Sequence, residues 1–345
     1  MRKWVFVLSI GITSFLSQIG VEAASLSPSL KERWDAELAA PGTNLTEMLH
    51  TTLRDRHVVF VDGILNELAK PVGNYFTDNI RAVKALGVTY SHLRYSSRVS
   101  IPHNGEKLAK DLLQIHKEHQ KPIILIGHSM GGAESLYSVL VEPQLMLQGI
   151  VDRVVLLNPA IGGSPLIENF KSNPLAHMIK SYLGEGFESL KPDVAHQNFS
   201  KVFKHFKREI KKNFGKDSKE ILKYLSNRVF YVRGKHPTPS LSLGLDTVLF
   251  FCNKNLDEIS NSEISNSNDK AQASCSNDGL LNTEDQMLNA RIPFGVDLGI
   301  LPVDHIELAV SGLFSHSNAR HREAFTRAVF SAIYSDFDSS PNKLN

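Results

Sequence analysis

The sequence predicts an α/β protein whose central sheet is mostly parallel and is covered by helices on both faces. Short, uninterrupted apolar runs alternate with helical segments, and the strongest of these runs end abruptly at glycine-containing turns. An uninterrupted apolar run is typical of a strand that is buried on both faces, as in parallel sheets. With 345 residues, of which 42% are hydrophobic, the chain is long enough to bury such a core.

The predicted elements alternate regularly along the chain. A polar, helical segment over 30–56 precedes a first buried strand, His57–Val61, which ends in the turn Asp62-Gly63. The remaining predicted strands are 88–90, 122–126, 153–157 and 229–232, and the predicted helices are 79–86, 105–119, 132–141 and 320–333.

Residues 164–227 interrupt this alternation. The segment is helix-like, gives no strand signal, and contains 12 Lys and Arg against 7 Asp and Glu. We interpret it as a helical cap inserted into a core of residues 57–163 and 228–337. Its positive charge forms either a solvated face or a contact with a lipid interface. Its apolar side chains form either the wall of an acyl pocket or the cap's own core: Phe170, Met178, Ile179, Leu183, Phe199, Phe203 and Phe206.

The N-terminal segment has the composition of a signal peptide. Arg2 and Lys3 precede an apolar run over 4–16, and small residues near Ala23 suit a cleavage site. The run is short and interrupted for a membrane span, although an uncleaved anchor is the alternative. We expect removal of residues 1–23 and export to the periplasm or the cell exterior. The exported protein would have an approach segment over 24–56 and a tail over 338–345.

Composition and cysteine content exclude several other classes of protein. A net charge of +2 gives no reason to expect nucleic acid as a partner. Two cysteines are too few for a four-cysteine zinc site or a disulfide-dense miniprotein. Cys252 and Cys275 enclose 22 mostly polar residues, so an oxidising compartment favours a disulfide between them. Two free thiols are the alternative.

The run Gly127-His-Ser-Met-Gly131 is the strongest functional signal. It follows a predicted strand and begins a helix, the context in which G-x-S-x-G presents a nucleophilic serine. Glycines two positions on either side of Ser129 leave room for the strained turn that such a serine occupies. The pattern therefore predicts Ser129 as a nucleophile.

Two backbone N–H groups are candidates for an oxyanion hole. The N–H of Met130 follows the serine at the start of the helix. The second donor is expected from the loop after the first core strand, where Gly63 permits close approach and Ile64 supplies the N–H. An ordinary turn at the end of a strand is the alternative for this loop.

A serine nucleophile needs a histidine base and a carboxylate that orients it. In doubly wound hydrolases the acid and then the base follow the serine along the chain. His305 precedes the last predicted helix, and His316 is the alternative base. Asp278 lies in an Asn-Asp-Gly turn 27 residues before His305. Competing candidates for the acid are Asp246, Asp285 and Asp297.

With these residues placed, the chain resembles the α/β-hydrolases, and among them the bacterial secreted triacylglycerol lipases. The resemblance extends over 58–334 and is weak through the cap. It implies an α/β-hydrolase fold with Ser129, Asp278 and His305 as a catalytic triad. The motifs that carry it are Val61-Asp-Gly63, Gly127-His-Ser-Met-Gly-Gly132, Leu157-Asn-Pro-Ala-Ile-Gly-Gly-Ser-Pro165, Asn277-Asp-Gly279 and Asp304-His-Ile-Glu307.

The resemblance also implies an activity: hydrolysis of lipid or fatty-acyl esters through an acyl-enzyme, with no required cofactor. A phospholipase, an acyl-protein thioesterase and a non-catalytic binding module are the alternatives. Some relatives hold a structural calcium near the histidine, for which Glu307 and Asp246 are the candidate ligands here. Asp62 departs from the family pattern, because a histidine usually precedes the oxyanion glycine. The cysteine pair resembles a bridge found beside the acid loop in part of the family.

Overall fold

The structure is a computed structural model, and it describes residues 27–64, 73–164, 181, 183–235, 278, 281, 283–288, 293–312 and 317–335. The proposed signal peptide, Cys252 and Cys275 lie outside these residues. The strands are β1 (His57–Val61), β2 (Gly73–Tyr75), β3 (Thr89–Leu93), β4 (Ile123–His128), β5 (Val151–Leu157), β6 (Val229–Gly234), β7 (Val296–Leu301) and β8 (Val310–Gly312). The helices are α1 (Leu30–Ala39), α2 (Glu47–Arg54), α3 (Thr77–Ala85), α4 (Ile101–His119), α5 (Met130–Val141), α6 (Gln144–Leu147), α7 (Glu185–Ser189), α8 (Pro192–Phe214), α9 (Ser218–Ser226) and α10 (Ala319–Ser335).

Six strands form one sheet in the order β3-β1-β4-β5-β6-β7, and every neighbouring pair is parallel. This arrangement confirms the predicted fold class. The carboxyl ends of parallel strands meet at the same edge of a sheet, where ligand sites of such folds form. The segments that follow β1, β4 and β5 therefore lie together at this edge. Strands β2 and β8 form a separate antiparallel pair.

The apolar strand runs arise because helices cover both faces of the sheet. Along β4, Ile123 and Leu125 belong to one buried cluster, while Ile124 and Ile126 belong to the other. Successive side chains of a strand point to opposite faces, so both sets of residues have to be apolar. Helices α4, α5 and α8 supply side chains to the first cluster, and α1, α3 and α10 to the second.

The sequence analysis misses three strands, β2, β7 and β8. Strands β2 and β8 have three residues each, too few to show a hydrophobic period. Strand β7 is an edge strand that is mostly half-exposed and includes Asp297 and Gly299, so it gives no continuous apolar run. The predicted helix over 105–119 in fact begins at Ile101, with a proline in its first turn.

The described part of the segment 164–227 is helical, comprising α7, α8 and α9. Leu183, Phe199, Phe203 and Phe206 are all buried in the cluster that also contains α5. The ring of Phe206 lies 5.3 Å from that of Phe294. These side chains therefore form part of the core, whereas Phe170, Met178 and Ile179 lie outside the described residues. Within those ranges, no helix is both long and apolar enough to span a membrane.

Candidate active site

Ser129 occupies the sharp turn between β4 and α5 at the carboxyl edge of the sheet. Its backbone has φ 55° and ψ −124°, a conformation that residues other than glycine rarely adopt. Hydrogen bonds hold the turn in place. The N–H of Ser129 donates to the carbonyl of Leu157 (3.0 Å), and its own carbonyl accepts from Ala133 (3.1 Å) and Ala160 (3.0 Å).

The glycines around the serine are required by close packing of the backbone. A Cβ atom on Gly127 would clash with the carbonyl of Gly131 and with the hydroxyl of Ser135. A Cβ atom on Gly131 would clash with the carbonyls of Val61 and Asp62 at the end of β1. The glycines are therefore needed because the start of α5 packs closely against the ends of β1 and β4.

The structure brings Ser129, His305 and Asp278 together in one hydrogen-bonded row. The Ser129 hydroxyl lies 2.8 Å from Nε2 of His305, and Nδ1 of His305 lies 2.8 Å from Oδ2 of Asp278. All three residues are buried. Donation from Nδ1–H to the carboxylate leaves Nε2 with a free lone pair, which accepts the serine proton. This is the arrangement that a serine nucleophile and its base need.

Backbone contacts fix the position of the Asp278 carboxylate. The N–H of Leu281 donates to Oδ1 (2.8 Å), and the N–H of His305 donates to the Asp278 carbonyl (2.8 Å). One carboxylate oxygen thus accepts a hydrogen bond from the main chain, while the other faces the histidine. The aspartate and the histidine are also linked through their backbones.

Gln286 is a site residue that the sequence analysis does not predict. Its Nε2 donates to Oδ2 of Asp278 (3.1 Å) and to the carbonyl of Gly234 (3.2 Å). Its Oε1 accepts from the N–H of Gly234 (2.7 Å). The side chain, which is fully buried, therefore connects the end of β6 to the oxygen that faces His305. No recognisable motif surrounds Gln286, so its role emerges only from the fold.

The loop after β1 passes directly beside the serine. A Cβ atom on Gly63 would lie 2.9 Å from Cβ of Ser129, so only glycine permits this approach. The hydroxyl of Tyr75 donates to the carbonyl of Ile64 (3.1 Å) and also holds the loop. Met130 begins α5 immediately after the serine. The two candidate oxyanion donors thus belong to segments that border Ser129.

Asp62, which precedes Gly63 in the loop after β1, is held by two side chains at the end of β3. Its carboxylate contacts Nε2 of His92, and its second oxygen lies 3.1 Å from Nε of Arg94. Asp62 is buried, whereas the Arg94 side chain is 44% exposed. These contacts direct the carboxylate toward β3. The sequence analysis does not predict the contributions of His92 and Arg94.

The alternative acids and bases lie elsewhere or outside the described residues. Asp297 pairs with Arg233 on the edge of the sheet, and the carbonyl of Asp285 accepts from Gly162 (2.8 Å). His316 and Asp246 are not among the described residues. The Glu307 carboxylate accepts from the N–H of Asp304 (2.9 Å). Across the described ranges, no three His, Cys, Asp or Glu side chains cluster as a metal site.

Comparisons with known proteins agree with this architecture. A solved structure of a metagenomic carboxyl esterase, MGS0156, matches with a TM-score of 0.58 at 20% identity, covering 82% of this chain and 76% of that one. The chain has the α/β-hydrolase fold. The mature form of the Bacillus licheniformis lipase BlEst2 gives a TM-score of 0.48 at 17% identity, over 72% of this chain and 84% of that one.

The comparisons at the level of sequence are more limited. A family model described as lecithin:cholesterol acyltransferase matches residues 87–172 of this chain. The matched stretch includes β4, Ser129 and α5. No curated protein sequence matches the chain significantly.

We predict that Gln286→Glu slows ester cleavage. The substitution replaces the donor Nε2 with an oxygen that faces two acceptors, Oδ2 of Asp278 and the carbonyl of Gly234. Loss of a hydrogen bond to a charged group costs about 1.5–3 kcal/mol, so kcat/KM should fall at least about tenfold. The measurement is kcat/KM of the purified variants toward a short p-nitrophenyl ester.

Gln148→Glu is the matched control for this measurement. Gln148 is exposed and contacts Gln144 on the surface. The same chemical change at that position should leave kcat/KM within about twofold of the wild type. Equal activity of the two variants would contradict a role for Gln286 in orienting Asp278.

Proposed function

We propose that the protein is a serine carboxylic-ester hydrolase that acts on lipid or fatty-acyl esters through an acyl-enzyme. The observation that carries this proposal is the buried hydrogen-bonded row from Ser129 through His305 to Asp278. The strained conformation of Ser129 adds support. Strain of about 1–3 kcal/mol persists only where the surrounding structure enforces it, and such strain clusters at active sites and ligand clamps.

In the first half of the proposed reaction, Ser129 becomes acylated. Its Oγ attacks the ester carbonyl carbon while Nε2 of His305 takes the hydroxyl proton. Asp278 holds the imidazole tautomer and stabilises the imidazolium. The N–H groups of Met130 and Ile64 donate to the oxyanion, and each such donor is typically worth about 3–4 kcal/mol. The imidazolium then protonates the leaving alkoxide, and the carbon–oxygen bond of the ester breaks.

In the second half, water replaces the alcohol and releases the acid. His305 takes a proton from water, whose oxygen attacks the acyl carbon of the acyl-enzyme. Collapse of the second tetrahedral intermediate breaks the bond to Ser129 Oγ, and the imidazolium returns the proton to that oxygen. The products are a carboxylic acid and the free serine. The protein's own residues supply every proton transfer in this scheme.

A phospholipid ester is the second candidate substrate. The partial match to a family of lecithin:cholesterol acyltransferases favours it, because the acyl donor that this name states is a phospholipid. The same row of serine, histidine and aspartate would also cleave an acyl-protein thioester. Alternative substrates change the group that leaves during acylation, but the attack of Ser129 on the acyl carbon stays the same.

Export, a disulfide and a structural calcium site are further parts of the proposal. The basic and apolar start of the sequence supports removal of residues 1–23 and action in the periplasm or outside the cell. In such a compartment Cys252 and Cys275 would form a disulfide. A structural calcium involving Glu307 and Asp246 stays a proposal based on the family resemblance.

We further propose that the cap contacts anionic lipid through a surface that we call the basic face. Over 201–223 the sequence has nine Lys and Arg against three Asp and Glu, although the whole chain carries only +2. All nine cations are exposed on α8, α9 and the turn between them. The basic face consists of Lys201, Lys204, Lys207, Arg208, Lys211, Lys212, Lys216, Lys219 and Lys223.

The central test is hydrolysis of p-nitrophenyl esters from acetate to palmitate by the wild type and by Ser129→Ala. The variant should lower kcat/KM at least about a thousandfold, because no other group replaces the nucleophile. Activity that rises with chain length would support a lipase-like enzyme. Activity confined to acetate and butyrate would move the substrate to small esters.

Ser138→Ala provides the control, since Ser138 is a buried serine further along α5 that donates to the carbonyl of Ser135. It should retain activity within about threefold of the wild type. If Ser129→Ala is as active as Ser138→Ala, Ser129 is not the nucleophile. Parallel assays with phospholipids and acyl thioesters distinguish the alternative substrates.

The contact with lipid predicts binding to phosphatidylglycerol vesicles that weakens as salt rises. Lys204→Glu, Lys211→Glu and Lys219→Glu in combination should weaken it at least about tenfold, since each surface cation contributes about 1 kcal/mol. Vesicle co-sedimentation provides the measurement. The control reverses three lysines outside the basic face, Lys84, Lys110 and Lys117, which are also exposed. Binding that is independent of salt, or equal in both triple variants, would contradict the proposal.

A further inference from the structure

We propose that His128 and Asn158 are positioning residues that together hold the main chain of His305, so that its Nε2 stays on the Ser129 hydroxyl. This inference rests on the proposed function, because it gives the two side chains a part in the work of the base. It concerns residues to which the triad mechanism assigns no role.

Both side chains donate to the same atom, the carbonyl oxygen of His305. Nε2 of His128 lies 2.6 Å from this oxygen, and Nδ2 of Asn158 lies 3.2 Å from it. Nδ2 of Asn158 also lies 3.2 Å from the carbonyl of Asp304. A carbonyl oxygen has two lone pairs and can accept both donors. Both side chains are fully buried, so water does not compete for these bonds.

The two donors come from the strand ends that also hold the nucleophile. His128 is the last residue of β4 and precedes Ser129, and Asn158 directly follows β5. His128 is paired with Leu157 in the sheet, and the Leu157 carbonyl accepts the N–H of Ser129. The main chain of both the serine and the base is therefore anchored to the ends of β4 and β5.

His305 needs such support because it lies outside the regular elements. Strand β7 ends at Leu301 and β8 begins at Val310, so the sheet does not fix the intervening turn. Within that turn, Asp304 Oδ1 accepts from the N–H groups of Ile306 and Glu307, both at 2.9 Å. These bonds shape the turn internally. The bonds from His128 and Asn158 attach it to the central sheet.

The protonation state of His128 suits this role. Burial lowers its pKa to about 3; the ring of His305 also lowers this pKa, while the hydrogen bond to the His305 carbonyl raises it. The ring is therefore neutral at ordinary pH, and its single proton lies on Nε2, where the carbonyl accepts it. The two imidazole rings are 5.0 Å apart. A neutral neighbour does not oppose the positive charge that His305 acquires during acylation.

The arrangement has a cost in stability. In the described part of the chain, Nδ1 of His128 and Oδ1 of Asn158 are buried without a hydrogen-bond partner. Asn158 also has a positive φ of 42°, a conformation that asparagine tolerates better than most residues. A buried polar atom without a partner destabilises the fold, so apolar residues would be favoured if these positions served packing alone. What His128 and Asn158 provide in place of apolar packing is the pair of hydrogen bonds to the His305 carbonyl.

The test compares His128→Leu, His128→Gln, Asn158→Leu and the double variant with leucine at both positions. Each single leucine variant should lower kcat about tenfold, with KM within about threefold of the wild type, because the base is misplaced while substrate contacts remain. His128→Gln places an amide N–H near the position of Nε2 and should recover most of the loss. The double variant should lose more than the product of the two single effects, since each donor partly replaces the other.

Tyr231→Phe is the matched control for a purely structural effect. Tyr231 is buried in β6, and its hydroxyl donates to the carbonyl of Phe294 (2.9 Å), which precedes β7 and lies outside the turn that contains His305. It should lower the free energy of unfolding while kcat per folded molecule stays within about twofold. The proposal is overturned if His128→Leu and Asn158→Leu behave in the same way, or if His128→Gln is no better than His128→Leu.

Labelling of Ser129 by a fluorophosphonate separates this inference from the proposed function. In that reaction the bond from Oγ to phosphorus forms, fluoride leaves, and His305 takes the serine proton. Labelling of the wild type, with slower labelling of both leucine variants, supports the positioning role whatever the natural ester is. Labelling at equal rates overturns the positioning role alone. Absence of labelling in the wild type overturns both proposals.

Discussion

The hydrogen bond between His305 and Ser129 joins two groups that lie 176 residues apart in the chain, and the architecture around it serves to maintain that contact. A bond of this kind supports chemistry when both partners stay close to the reactive geometry, because a misplacement of about 1 Å can cost about a hundredfold in rate. The parallel sheet supplies the fixed reference. Strands β4 and β5 hold the serine through the backbone, and β6 holds the aspartate through Gln286. The ring of His305 is held by Asp278, and its main-chain carbonyl is held by His128 and Asn158.

The strain at Ser129 shows how packing supports this contact. A positive φ at a residue other than glycine costs on the order of 1–3 kcal/mol. Burial of one large aliphatic side chain contributes about 1.5–3 kcal/mol, and β4 alone buries four of them next to the turn. The strand and helix on either side therefore fix the strained geometry. The close contacts at Gly127 and Gly131 leave the turn no room to relax.

The sequence predicts those features that depend on local pattern. Apolar runs reveal β1, β4, β5 and β6, because strands covered on both faces carry mostly apolar side chains. The sharp turn at Ser129 is marked by glycines two positions before and after the serine. In contrast, Gln286, His128 and Asn158 act through contacts between distant segments, and no local pattern marks such contacts. Edge strand β7 has no regular alternation of buried and exposed residues, and this irregularity conceals it from an analysis of periodicity.

The most direct measurement of the central claim is kcat/KM of Asp278→Asn toward a short p-nitrophenyl ester. In this variant the amide replaces an acceptor with a donor, so Nδ1 loses its proton and Nε2 can no longer accept from the serine. The account predicts a fall of about ten thousandfold with the fold intact, as a wrong histidine tautomer produces in serine proteases with this triad. A value within about tenfold of the wild type would show that Asp278 does not orient His305, and would contradict the account.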